Sequence, residues 1–234
     1  MKYKTITDIF AEKKNVNIGY IVAGYPSTQF TKEFLTKLDD SAIDILEIGI
    51  PYSDPLADGK HIAEASFAAS QAGVTTDVVF DLLNSIKEKI HKPLVFLVYY
   101  NLVFAYGVEA FVKRSAEVGI KGMIIPDLPY EEATEVTELL NAHNIAFIPL
   151  VSVTSGDRIA KIASLAKGGF VYAVGSLGVT GSKQVDLGRL EQFITDIKPD
   201  ADAEFAKFEG RYFSTPKKMG AQTAEANINA GIAA

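Results

Sequence analysis

The chain has 234 residues, of which 48% are hydrophobic and 10% aromatic, enough apolar material for one sizeable core. It carries 23 Lys and Arg against 29 Asp and Glu, which excludes the basic excess typical of proteins that bind nucleic acid or anionic membranes. The absence of cysteine excludes disulfides and thiolate chemistry, and it favours a reducing, cytoplasmic location. The first 14 residues lack the apolar core of a signal peptide, and no segment approaches the roughly 18 apolar residues of a membrane span.

Apolar runs alternate with amphipathic helical patterns along most of the chain. The predicted strands are 18–23, 43–50, 94–99, 122–125, 146–151 and 170–174. The predicted helices between them are 31–38, 62–72, 78–90, 108–118, 131–142 and 157–166. Strands that are apolar almost throughout are typical of a parallel sheet covered on both faces. The alternation therefore predicts a parallel α/β fold.

The spacing of the strands points to a closed barrel. Strands that recur about every 25 residues leave room for about two further βα units, which predicts an eight-stranded (β/α)8 TIM barrel. A doubly wound open sheet is the alternative. We expect a single domain over residues 1–234, because no linker or low-complexity segment interrupts residues 1–197. In residues 199–234 charged residues interrupt the expected strand and alanine becomes frequent, so the closing segment is expected to be irregular or incomplete.

Two acidic residues lie in and shortly after the second predicted strand. Glu47 lies within that apolar strand, where an ionised carboxylate without partners is costly. It is either a structural group that is satisfied by a cation or by backbone donors, or a general acid and base tuned by desolvation. Asp58 lies in the following loop, residues 51–59, where Asp-Pro and Asp-Gly pairs are also ordinary turn chemistry. A strand glutamate and a loop aspartate on one face of a barrel favour acid–base chemistry across a bound substrate.

Two other loops follow predicted strands. Residues 175–183 are rich in glycine, so they form either an anion-binding loop or a flexible loop without a ligand, although they match neither known phosphate fingerprint. Asp127, in the segment 126–129, is interpreted first as the cap of the next helix and otherwise as part of the barrel mouth. The histidines lack metal-ligand spacing, so we expect no metal site.

Residues 44–59 closely resemble the signature of the tryptophan synthase alpha subunit family; they read Asp-Ile-Leu-Glu-Ile-Gly-Ile-Pro-Tyr-Ser-Asp-Pro-Leu-Ala-Asp-Gly. Matching segments lie at 24–26, 99–101, 126–129 and 178–181, and the resemblance covers about residues 1–197. The resemblance implies a βα barrel that acts as a lyase in tryptophan biosynthesis. It would cleave indole-3-glycerol phosphate to indole and glyceraldehyde 3-phosphate by retro-aldol chemistry, without a metal or cofactor of its own.

The resemblance also assigns roles to residues. Glu47 would protonate indole C3 and assist the glycerol hydroxyl, and Asp58 would hold the indole N–H. Thr180 would belong to a mobile loop that closes over the substrate and touches Asp58. The positions that correspond to substrate-binding residues are Tyr20, Tyr99, Tyr172, Thr180, Gly181, Gly210, Ser214 and Gly231. The partner implied is a pyridoxal-phosphate-dependent beta subunit in an α2β2 complex, contacted by the loops after strands two and six.

The tail departs from the family pattern. Tyr212 stands where the family has a glycine, and Ile232 stands where it has a serine, so Gly210, Ser214 and Gly231 correspond only weakly to the phosphate site. A shortened or altered chain, a misassigned sequence, or a natural variant with a weakened phosphate site would each explain this, and the frequent alanines favour the first two. Two other functions are compatible with the pattern. They are a regulatory partner of a beta subunit with a defective phosphate site, and another phosphate-binding βα-barrel enzyme.

Overall fold

The computed structural model describes residues 5–13, 15–55, 58–152 and 154–174. The strands in these ranges are β1 (Ile18–Val22), β2 (Ile45–Gly49), β3 (Leu94–Leu97), β4 (Ile120–Ile124), β5 (Ala146–Phe147), β6 (Leu150–Ser152) and β7 (Tyr172–Val174). The helices are α1 (Ile6–Glu12), α2 (Thr28–Thr36), α3 (Lys60–Gln71), α4 (Thr76–Ile86), α5 (Tyr100–Tyr106), α6 (Val108–Glu117), α7 (Thr134–Ala142) and α8 (Ile159–Ala163). Short 3₁₀ segments cover Leu38–Asp40, Lys87–Lys89, Tyr130–Glu132 and Gly156–Arg158.

Consecutive strands lie side by side. The first sheet has the order β1-β2-β3-β4-β5 with parallel pairing throughout, and β6 pairs in parallel with β7. A doubly wound open sheet reverses its strand order at a switch point, and the described strands show no such reversal. Each βα unit instead advances in the same direction, as in a barrel. The doubly wound alternative is therefore wrong for the part of the chain that the structure describes.

The predicted strand 146–151 is divided in two by Pro149. A proline has no N–H to donate to a ladder, so the pairing changes at this point. Before it, the N–H of Ile148 donates to the carbonyl of Met123 at 2.9 Å; after it, the N–H of Tyr172 donates to the carbonyl of Pro149 at 2.9 Å. The prediction of one continuous strand is corrected, and β5 and β6 together connect β4 to β7.

Apolar side chains cover both faces of the sheet, because successive residues of a strand point to opposite sides. On β2, Leu46 and Ile48 pack in an outer cluster with the surrounding helices, whereas Ile45 packs in an inner cluster. The buried members of the inner cluster are Ile6, Ile9, Phe10, Ile45, Val95, Ile124, Ala146 and Ile148. A filled interior of this kind is the packing expected inside a βα barrel.

Helix α1 supplies part of that interior, and the sequence pattern does not predict it. Thr5 begins the helix with a capping box, in which its side chain accepts the Asp8 N–H and the Asp8 side chain accepts the Thr5 N–H. Ile6, Ile9 and Phe10 are buried. Seven residues are too few for a clear helical period, so only the packing reveals the role of α1.

Apart from α5, the other helices lie close to their predicted positions. Ser27 and Thr75 cap α2 and α4, because their side chains accept the N–H groups of Phe30 and Val78. Helix α5 is a second element that the sequence does not predict, and it begins directly after β3. Within the described ranges, no helix has both the length and the hydropathy needed to cross a bilayer.

Candidate active site

Strand β2 carries a carboxylate into the apolar interior. Glu47 is 3% exposed, and all five residues of the strand are buried. The register pairs Glu47 with Tyr20 on β1 and with Val95 on β3, so it lies inside the sheet rather than at its edge. Because Ile45 and Val95 belong to the inner cluster, the alternation of the strand directs Glu47 to the same side. The glutamate thus stands where a charged group is costly unless it has a function or partners.

Tyr20 extends from the neighbouring strand along this interior. A Cβ atom at Gly49 would overlap the Tyr20 hydroxyl and would lie 2.9 Å from Cζ, so the ring ends directly over the glycine. Burial raises the pKa of Tyr20 well above its ordinary value, and the negative charges of Asp58 and Glu47 raise it further. The phenol therefore stays protonated and is available as a hydrogen-bond donor near both carboxylates.

Asp58 approaches the same region from the loop between β2 and α3. Its N–H donates to the carbonyl of Pro55 at 3.2 Å. Burial raises the pKa of the Asp58 carboxyl, and a hydrogen bond with the Tyr99 side chain partly counteracts that rise. Tyr99 is 3% exposed and is the N-cap residue of α5. The loops that follow β2 and β3 are thereby joined at the carboxyl edge of the sheet.

Tyr52 makes a second connection between these loops. Its N–H donates to the Ser66 hydroxyl at 2.8 Å, and that hydroxyl donates to the Tyr52 carbonyl at 3.0 Å. The Asn101 side chain donates to the Tyr52 hydroxyl at 3.1 Å, and the Tyr52 and Tyr99 rings lie 5.0 Å apart. No sequence pattern assigns a role to Tyr52 or Ser66; the available signal was an aromatic residue shortly after a buried strand.

Asp127 caps a different helix from the one predicted. Its carboxylate accepts the N–H of Tyr100 at 2.8 Å, and Tyr100 is the first residue of α5. The next α-helix along the chain, α7, has Ala133 as its N-cap residue and no side-chain cap. The expectation of a cap holds, but its target is corrected. Parallel neighbouring strands place the loops after β3 and β4 side by side, so the cap acts across the sheet edge.

The structure brings together four of the predicted site residues, namely Tyr20, Glu47, Asp58 and Tyr99. Tyr172 is the first residue of β7, where it is half-buried and packs against the inner cluster. The other predicted residues lie outside the described part of the chain; they are Thr180, Gly181, Gly210, Ser214 and Gly231.

Among the residues that the structure describes, no group of three or more His, Asp or Glu side chains could hold a metal ion. His91 instead lies 2.7 Å from Asp39, measured between Nδ1 and Oδ2. Burial acts to raise the pKa of Asp39, but the hydrogen bonds from His91 and Lys92 outweigh it and lower that pKa. Asp39 precedes β2 and His91 precedes β3, so the pair lies at the end of the sheet opposite to Asp58 and Tyr99.

A barrel of parallel strands with a buried glutamate, a loop aspartate and neighbouring phenols is typical of enzymes that work by acid–base chemistry. The sequence profile of the tryptophan synthase alpha chain family matches residues 6–217. The chain belongs to the tryptophan synthase alpha chain family. Membership confirms the resemblance, the predicted barrel fold and the predicted lyase activity in tryptophan biosynthesis.

Individual relatives agree with this assignment. The tryptophan synthase alpha chain of Campylobacter jejuni subsp. doylei is 46% identical over 187 residues, which are 80% of this chain and 74% of that protein. The alpha chain of Alkaliphilus metalliredigens is 45% identical over 181 residues, covering 77% of this chain and 68% of that protein.

Solved structures give the same result. The alpha subunit from Campylobacter jejuni superposes with a TM-score of 0.71 at 44% identity, covering 82% of this chain and 75% of that chain. A chain of Mycobacterium tuberculosis tryptophan synthase superposes with a TM-score of 0.74 at 32% identity, covering 86% of this chain and 77% of that chain.

Proposed function

We propose that Glu47 and Asp58 carry out the acid–base steps by which this lyase cleaves indole-3-glycerol phosphate to indole and glyceraldehyde 3-phosphate. One observation supports the assignment above the others. Glu47 lies opposite Tyr20 in the strand register, and the charges of Glu47 and Asp58 both raise the pKa of Tyr20, so the two carboxylates lie near the same phenol. A substrate bound beside that phenol would be within reach of both groups.

Glu47 is the proposed proton carrier. Cleavage requires that indole C3 gains a proton, that the bond from C3 to the glycerol chain breaks, and that the hydroxyl on the released carbon loses its proton to become an aldehyde. A single carboxyl group can give the first proton and accept the second, so Glu47 ends in the state in which it began. General acid–base catalysis of this kind contributes about 10² to 10⁴ in rate.

Asp58 is the proposed partner of the indole ring nitrogen. Protonation at C3 places positive charge on the ring, and an ionised carboxylate at the N–H stabilises that charge as it develops. The hydrogen bond from Tyr99 favours the ionised form of Asp58. A carboxylate accepts several hydrogen bonds, so the bond from Tyr99 leaves capacity for the substrate N–H.

The remaining assignments concern substrate binding. Tyr20, Tyr99 and Tyr172 are proposed to line the indole ring, because aromatic side chains combine apolar contact with a hydrogen-bonding hydroxyl. Thr180 and Gly181 are proposed to close over the substrate and exclude water. The phosphate is assigned to backbone N–H groups at three positions, Gly210, Ser214 and Gly231. Calorimetry with glyceraldehyde 3-phosphate and with glyceraldehyde tests this last assignment. Equal affinities for the two compounds would contradict a phosphate site.

An alpha chain implies a beta chain. We propose that this chain acts in the cytoplasm with a tryptophan synthase beta subunit in an α2β2 complex, and that loops 51–59 and 175–183 make the contact. The proton transfers assigned to Glu47 and the charge stabilisation assigned to Asp58 are supplied by side chains, so we propose that this chain itself needs no cofactor. Pyridoxal phosphate belongs to the partner. Analytical ultracentrifugation of the two purified chains tests the complex.

The decisive experiment measures indole release from indole-3-glycerol phosphate by the purified chain, alone and with a beta subunit. Glu47→Gln serves as the inactive reference. We expect release that increases with the partner and vanishes in the variant. A folded wild-type chain that releases no indole would reject the catalytic assignment and favour the regulatory role.

A further inference from the structure

Tyr52 is held at its backbone, its ring and its hydroxyl. Ser66 of α3 is buried and binds both the N–H and the carbonyl of Tyr52. Asn101 of α5 donates to the hydroxyl at 3.1 Å. The ring packs at 5.0 Å from the Tyr99 ring, with a tilt of 31° between the two planes. A side chain fixed at both ends in this way can act as a rigid support for its neighbour.

The neighbour that it supports carries the hydrogen bond to Asp58. The backbone of Tyr99 is fixed, because its carbonyl accepts the Leu102 N–H at 3.0 Å at the start of α5. Its side chain can still turn about two torsions, and the Tyr52 ring lies against it. The tilted ring contact restricts that rotation and so sets the position of the Tyr99 hydroxyl.

We propose that Tyr52 is a positioning residue, which holds Tyr99 in the orientation that donates a hydrogen bond to Asp58. The inference rests on the proposed function, since it deepens the role given to Asp58, but it requires no contact between Tyr52 and the substrate. Catalytic groups must be held to within about half an ångström, and supporting side chains provide that precision. An aspartate on a loop depends on such support more than a glutamate inside a strand does.

Several titratable groups surround Asp58 in the described part of the chain. Tyr20 faces it from β1, Glu47 lies on β2, and Tyr99 closes β3. Lys60 and His61 follow on α3, where they lie 3.8 and 3.7 Å from Glu64. Substitutions at Tyr52 remove none of these groups, and the Tyr52 ring packs against Tyr99, so a change in the titration of Asp58 would report its hydrogen bond to Tyr99.

The test follows the Asp58 carboxyl by ¹³C NMR in the full chain labelled at aspartate, with Asp58→Asn to assign the signal. The Tyr99 hydrogen bond lowers the pKa of Asp58, so Tyr99→Phe is expected to move the titration midpoint to higher pH. Tyr52→Ala is expected to move it in the same direction, and the double variant no further than either one. Tyr52→Phe keeps the ring and is expected to restore the wild-type midpoint.

Turnover gives a second readout. We expect Tyr52→Ala and Tyr99→Phe each to lower kcat by about tenfold, with KM changed by less than about threefold, because one hydrogen bond to a charged group is lost. Tyr52→Phe is expected to stay within about threefold of wild type. Tyr52→Leu fills the side-chain volume without an aromatic face, and it replaces the alanine variant if that variant does not fold.

The outcomes separate the two proposals. An unmoved midpoint in folded Tyr52→Ala or Tyr52→Leu would overturn the positioning role, and so would a double variant whose shift is the sum of the single ones. If the wild-type chain releases no indole, the proposed catalysis fails, while the NMR midpoints still decide whether Tyr52 positions Asp58 through Tyr99.

Discussion

The hydroxyl of Tyr20 lies directly over Gly49, two positions beyond Glu47 on the neighbouring strand. Parallel pairing places Tyr20 opposite Glu47, and the tyrosine ring is long enough to reach the next inward position of β2. A glycine in a strand commonly marks such a close approach. The shape of this part of the site therefore depends on the absence of a side chain at Gly49.

Replacing that glycine should disturb the site. Gly49→Ala would place Cβ against the Tyr20 hydroxyl and Cζ, so we expect a loss of about 1 to 3 kcal/mol in the free energy of unfolding, measured with urea. Gly19→Ala is the matched control, because its Cβ would meet the Ile43 side chain at 3.0 Å from Cδ1 and 3.4 Å from both Cγ atoms, a looser contact than the one at Gly49. Adding Tyr20→Phe removes the overlapping oxygen and should recover part of the loss. Equal losses at Gly19 and Gly49 would contradict this account.

Glu47→Gln should abolish catalysis while preserving the fold. The amide keeps the size of the side chain but cannot transfer a proton, so we expect kcat to fall by about 10² to 10⁴. Asp44→Asn is the control, since Asp44 is equally buried but pairs with Lys13 and accepts the Asn17 N–H at 2.9 Å. It should lower stability and leave kcat nearly unchanged. Steady-state indole release and circular dichroism measure the two effects.

The acid limb of the pH profile of kcat/KM should depend on the Tyr99 hydroxyl. Burial raises the pKa of Asp58 and the Tyr99 hydrogen bond lowers it, and the proposed reaction needs the ionised carboxylate. Removing the bond in Tyr99→Phe should therefore move the acid limb of kcat/KM to higher pH. Tyr130→Phe removes a hydroxyl from another loop and should leave the limb unchanged. A shift of the acid limb to lower pH in Tyr99→Phe would contradict the expected direction of the change in the Asp58 pKa.

We expect Asp58 to contribute to activity while it lowers the stability of the fold, and Asp58→Asn tests this. The folded pKa of Asp58 is raised above its unfolded value, so ionisation opposes folding at pH values above the folded pKa. We expect Asp58→Asn to raise Tm at pH 7 while it lowers turnover. The gain should shrink as the pH falls through the folded pKa and should be lost below about 3.9, the ordinary value for aspartate, because the wild-type carboxyl is then protonated in both states. A gain that is independent of pH would point to a packing effect.

Much of the fold can be predicted from local pattern. The predicted strand 43–50 contains β2, and the predicted helix 108–118 matches α6 almost to the residue, since both depend on the spacing of apolar residues. Helices α1 and α5 are too short to show a clear period. Pro149 is visible in the sequence, but only the pairing partners show that it divides a strand.

Some residues of the candidate site can likewise be predicted from local sequence pattern, whereas their partners cannot. Glu47 can be selected from sequence because a charge interrupts an apolar strand, and Asp58 because it follows that strand closely along the chain. Asp127 can be identified as a cap, yet its target, α5, precedes it in sequence and reaches it across neighbouring strands. No local pattern specifies a partner of that kind.

The sequence by itself determined the alternation of strands and helices, the burial of Glu47 within β2 and the family signature in residues 44–59, because each depends on residues close together along the chain. Tertiary structure decided that Tyr20 ends over Gly49, that Tyr99 bonds to Asp58, and that Asn101 binds Tyr52 from 49 residues away. These contacts form only when parallel strands bring successive loops to one edge of the sheet. Their geometry is set by strand register and ring packing, which no single segment of the chain contains.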